Sequence, residues 1–105
     1  MDSYVIYRDK DVIHVKFNKD DAQNDEIVKD ACSRLDQMAR EGELSGGGLI
    51  KINGPASLPV AAAISYRLAQ YFSAISIFDP KMDRYVIVIS NDPQFTVGDL
   101  IEISE

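Results

Sequence analysis

The segment 46–79, "GGGLIKINGPASLPVAAAISYRLAQYFSAISIFD", constrains the fold more than any other part of the chain. A glycine-rich lead-in opens an apolar run over 46–52 that stops at Asn53-Gly54-Pro55. A pattern of small and apolar residues over 59–72 then reads as a helix, and a second apolar run over 74–79 ends at Asp79-Pro80. A helix between two apolar strands is a crossover, and crossovers join parallel strands with right-handed hand. The same grammar occurs once upstream. The run over 25–41 places Val28, Ala31, Cys32, Leu35, Met38 and Ala39 at three- and four-residue spacing, one apolar stripe of a helix. Asn24 suits its N-cap, Asp25 and Glu26 suit the positive end of its dipole, and Gly42 stops it.

The remaining segments read as strands. "SYVIYR", 3–8, is followed by a polar turn and then by "DVIHVKF", where Ile13, Val15 and Phe17 alternate with Val12, His14 and Lys16. This period of two predicts a half-buried strand in a hairpin. "YVIVIS", 85–90, is apolar on both faces, which predicts a place inside a sheet covered on both sides. After the "NDP" break, 94–104 has room for a last short strand. The order ββαβαββ predicts a single α/β domain over 1–105: a small mixed sheet with two strand–helix–strand crossovers.

Composition narrows the function. Of 105 residues, 46% are apolar, enough for one core. No apolar run reaches the ~18–20 residues of a bilayer span, and Met1-Asp2-Ser3 lacks the basic and apolar regions of a signal peptide. Cys32 is the lone cysteine, so neither an internal disulfide nor a cysteine zinc site is expected. These features predict a cytoplasmic protein without a membrane partner. The net charge of −6 works against duplex nucleic acid, whose binding needs a basic surface. The charge is uneven, however. Residues 45–85 hold Lys51, Arg67, Lys81 and Arg84 against Asp79 and Asp83, a balance of +2 that leaves −8 for the rest. A small anion suits that middle segment better than a long one.

Ligands of α/β sheets bind where the carboxyl ends of parallel strands feed helix N-termini. Two places qualify: the turn Asn53, Gly54, Pro55, Ala56, Ser57, and the turn of Asp79, Pro80 and Lys81. The first offers Gly54 for positive φ, a stiffening Pro55, Ser57 as a helix cap and Pro59 in the first turn. It reads equally as an anion-holding turn or as a plain strand-to-helix connection, and it lacks the lysine of a P-loop. His14, the lone histidine, is expected as a surface residue on the polar side of its strand, and Cys32 as a core residue. No residue set for a metal emerges. A metal site here would have to be carboxylate-rich, from Asp79, Asp83 and Asp92, each also a residue that turns favour.

The pieces "INGPASLP", "DPK", "YVIVIS" and "VGDLI", in this order and spacing, carry a resemblance. Over 46–102 the chain resembles the CRISPR-associated Csx-three family of type III systems, ring nucleases that bind and degrade cyclic tetra-adenylate with manganese. The resemblance implies a homodimer, with higher assembly on the ligand, and a ring held at or between dimer surfaces near Asn53, Gly54, Pro55, Ala56 and Ser57. It implies cleavage by attack of a ribose 2′-OH on the adjacent phosphorus, with Lys81 offsetting phosphoryl charge and Asp79 accepting a proton or binding metal. Family members carry histidines where this chain has Tyr66, Gln70 and Asn91. Tyr66, Arg67, Gln70 and Asn91 are therefore expected as ligand-binding rather than imidazole-type groups, with manganese implied by the resemblance alone. Two activities follow: slow ring opening by positioning, or a non-catalytic sponge or sensor for the messenger. A dimeric interaction module with a decayed site is the third.

Overall fold

The computed structural model describes residues 3–18 and 22–103; Met1, Asp2 and Ser104 of the sequence reading lie outside them. Six strands form one mixed sheet in the order β1-β2-β3-β4-β5-β6: β1 (Tyr4–Asp9), β2 (Val12–Phe17), β3 (Gly47–Asn53), β4 (Phe72–Asp79), β5 (Arg84–Ser90) and β6 (Leu100–Ile101). β2, β3 and β4 are parallel, and the other pairings are antiparallel. Helix α1 (Asn24–Arg40) links β2 to β3, and α2 (Leu58–Leu68) links β3 to β4. The α/β class, the mixed sheet and both crossovers match the sequence reading, and the tail supplies β6 as a short edge.

The two helices pack against one another on one face of the sheet. Ile27, Ala31, Leu35 and Met38 of α1 and Val60, Ile64 and Leu68 of α2 meet Ile6, Ile13, Val15, Ile50, Ile52 and Ile75 in a single buried core. Each buried Val, Leu, Ile or Met side chain of this set contributes about 1.5–3 kcal/mol. An ion pair ties the helices at their rim: Arg67 Nη1 lies 2.7 Å from Asp36 Oδ1.

Four local expectations are corrected. The helix predicted over 59–72 ends at Leu68, because Phe72 turns into the sheet as the first residue of β4. The N-cap of α1 is Gln23 rather than Asn24, whose side chain is drawn away to accept a hydrogen bond from Ser57 Oγ at 2.8 Å. Cys32 is half-buried against Arg67 at the edge of the helix pair, not in the core. The strand apolar on both faces, β5, is not enclosed by helices on both sides. Its Tyr85 and Ile87 are buried on the helix-free face, while Val88 is exposed beside α2.

Among the described residues no helix is long and apolar enough to cross a membrane. Ile64→Ala is expected to cost about 2–5 kcal/mol of stability. Tyr66→Ala, at a position 70% exposed, stays within about 0.5 kcal/mol. Urea titration of both variants checks the pair.

Candidate functional site

The parallel strands aim their carboxyl ends at one edge of the sheet. β3 ends there at Asn53 and β4 at Asp79, so the 53–57 turn and the β4–β5 turn share that edge. Both turns thus follow the carboxyl ends of neighbouring parallel strands.

The 53–57 turn is clamped by three elements. Gly54 has φ +137°, and a Cβ there would fall 1.9 Å from the Val15 carbonyl oxygen of β2. Only glycine permits that approach. The Tyr4 hydroxyl of β1, its ring 1% exposed, donates to the Pro55 carbonyl. Ser57 Oγ donates to Asn24 at the start of α1 and accepts from Val60 N at 3.4 Å, capping α2. These bonds fix the turn, and they also use up much of its binding capacity. Pro59 removes one helix N–H, and the Ser57 cap takes another. Gly54, Pro55 and Ala56 are exposed to solvent at the tip of the turn.

The second turn is also internally organised. Asp79 Oδ1 accepts from Lys81 N at 2.8 Å and Met82 N at 3.3 Å, and Asp83 N donates to Asp79 O, with Asp83 at φ +55°. Asp79 thus folds its own loop, the local role for which aspartate is favoured in turns. Lys81 is exposed at the loop tip. Among the described residues no three His, Cys, Asp or Glu side chains gather. With Asp79 Oδ1 engaged by its own backbone, this donor set does not fit manganese.

The other candidates stand elsewhere. Tyr66 and Arg67 belong to the last turn of α2, Gln70 to the turn that follows it, and Asn91 follows β5 at the same, amino edge of the parallel strands. An 11-residue helix spans about 16 Å, so within one chain these four do not join the 53–57 turn. Arg67 is committed to α1: Cys32 and Asp36 both favour its charged form and raise its pKa. Asn91 N donates to Ser73 O at 2.8 Å. Tyr66 and Gln70 face outward.

Sequence reasoning missed the helix-free face. There Tyr7, His14 and Asn53 lie side by side in register, and Phe78 pairs with Tyr85 farther along. The rings of Tyr7 and His14 stack at 4.9 Å and 18°. Asn53 Nδ2 donates to the Tyr85 hydroxyl at 3.4 Å, and Lys51 Nζ, 3.2 Å from Asp11, lies 5.6 Å from the Tyr85 ring centroid. The alternation of Val12, His14 and Lys16 held the signal, because a strand whose other face is core must present these residues together.

No protein-family model matches the chain, and a search of curated proteins finds no relative.

Two outcomes test the clamp. Gly54→Ala is expected to cost more than the ~1–3 kcal/mol of a strained φ, since the new Cβ also meets the Val15 carbonyl; thermal melts measure it. Burial pushes the Tyr4 hydroxyl up to about 12, so its contribution is full below pH ~10, the ordinary tyrosine value, and is lost as pH rises toward 12. Alkaline unfolding of Tyr4→Phe is expected to begin from a lower stability and to lose less across that window.

Proposed function

We propose that this chain, as a relative of the Csx-three family, binds cyclic tetra-adenylate at the carboxyl edge of its sheet and holds it without efficient cleavage. The observation that carries this reading is the meeting at one edge of the clamped 53–57 turn and the Lys81 loop. A rigid, exposed turn and an exposed lysine on the same edge suit a small, multiply charged ring. The net charge of −6 disfavours longer polyanions. Holding is favoured over cutting by the engagement of Asp79 with its own loop and of Arg67 with Asp36. Slow ring opening is the second reading, supported by the exposure of Lys81 on that edge. In it, the bound ribose 2′-OH attacks its own 3′-phosphorus, the 5′-oxygen of the next nucleotide leaves, and Lys81 offsets the charge on the phosphoryl oxygens.

A four-fold repetitive ring is matched by a symmetric pair of chains, so the reading includes a homodimer in the cytoplasm. The uncharged surface formed by Leu58, Ala61, Ala62, Val88 and Ile89 supports it. An isologous contact sets the residues beside its two-fold axis near their own copies, where like charges would repel.

Labelled cyclic tetra-adenylate incubated with the protein, with and without manganese, and resolved into ring and linear product tests the reading. Saturable binding with ring intact is expected, and Lys81→Ala is expected to weaken it about fivefold, as for an exposed charge contact. Linear product without metal supports the second reading, and absence of binding overturns both.

A further inference from the structure

The helix-free face carries a row of side chains that neither the core nor the turns require. Tyr7, His14 and Asn53 occupy neighbouring positions on β1, β2 and β3. One step beyond the Ile52–Ile77 pair, the same row reaches Phe78 on β4, which pairs with Tyr85 on β5. Strands lie about 4.8 Å apart, and the Tyr7–His14 centroid distance of 4.9 Å keeps that spacing. The row is therefore a stack of rings interrupted at β3 by one short amide. His14 and Phe78 flank that interruption two strands apart, about 10 Å. This divides into two ring-to-ring steps of about 5 Å, within the 4.5–7 Å range of stacked aromatics.

The floor of the gap is polar and oriented. One Nδ2 proton of Asn53 is directed at the Tyr85 hydroxyl. Tyr85 is itself 5% exposed and held between the Phe78 ring at 5.4 Å and Lys51. The other Nδ2 proton and Oδ1 of Asn53 remain as an adjacent donor and acceptor. That pair matches the N7 acceptor and N6 amino donor of adenine, and it mismatches guanine, which presents two acceptors on the same edge. Sheets that read RNA bases work in this way, with aromatic side chains on an open face.

We propose that the gap between His14 and Phe78 is an adenine site, with the base stacked in the row and its edge read by Asn53. Charge along the face agrees. Lys16 follows His14 on the same side toward the carboxyl edge, whereas Asp9 and Asp11 lie at the opposite end. The phosphate of a bound nucleotide is thus directed toward Lys16 and the 53–57 turn, which begins at Asn53 itself. The site shares Asn53 with the ring-binding reading but stands on the open-face register, and its ligand is either a free adenine nucleotide or one base of an oligoadenylate.

Titration of the full chain with adenosine 5′-monophosphate, guanosine 5′-monophosphate, inorganic phosphate and cyclic tetra-adenylate, followed by NMR, tests the proposal. The expected result is a ring-current shift of the His14 imidazole protons and a shift of the Asn53 side-chain amide with the adenine nucleotide. The guanine nucleotide should bind roughly tenfold more weakly. Asn53→Ala should erase that preference, and His14→Ala should weaken the adenine nucleotide about tenfold through lost stacking; amide spectra confirm that both variants are folded. Silence of His14 and Asn53 toward the adenine nucleotide, or shifts that inorganic phosphate reproduces, overturns the proposal. If cyclic tetra-adenylate moves the 53–57 amides while adenosine 5′-monophosphate leaves His14 and the Asn53 side chain unmoved, the adenine site fails and the ring reading stands. If the mononucleotide moves His14 and Asn53 while the ring does not bind, the adenine site stands and the ring reading fails.

Discussion

The contact of Gly54 with the Val15 carbonyl is the constraint on which the rest of the site depends. A residue with any side chain would drive the 53–57 turn off β2. Because the turn lies close, Tyr4 can reach Pro55 and Ser57 can reach Asn24, so that β1, β2 and the start of α1 all hold one loop. The start of α2 is set by the same clamp, and with it the packing of Val60 and Ile64 into the core. Local rigidity and global packing thus have a common origin in one missing Cβ.

That origin also divides the molecule functionally. Everything the clamp organises lies at the carboxyl edge, while Tyr66, Gln70 and Asn91 lie at the amino edge. Within a single chain, a ligand about the size of a mononucleotide touches one set or the other. The groups nearest in chemistry to a catalyst are occupied: Asp79 by its own loop and Arg67 by Asp36. The carboxyl edge therefore suits recognition more than acid–base work, whose groups must be within reach of the proton they move.

Much of this architecture was legible in the sequence. The two crossovers followed from apolar runs on either side of helical periodicity, and the carboxyl-edge rule then located both turns. The ends of elements were less legible. Phe72 continues the periodicity of α2 as well as it opens β4, and Asn24 fits an N-cap until Ser57 competes for its side chain. The two-faced pattern of β5 suggests a helix on each side, yet Tyr85 and Ile87 are buried on the helix-free face, where Tyr85 packs on Phe78 and its hydroxyl meets Asn53. The neighbours of His14 were not legible for a related reason. Its partners Tyr7 and Asn53 come from separate strands, and only register brings them together.

The central claim is that the carboxyl edge receives the ring, and backbone amide shifts during a titration with cyclic tetra-adenylate test it most directly. The account predicts saturable shifts at Gly54, Ala56, Ser57 and Lys81, with Tyr66, Gln70 and Asn91 unmoved in the free-chain limit. Shifts confined to the far end of α2, or none at all, would contradict it.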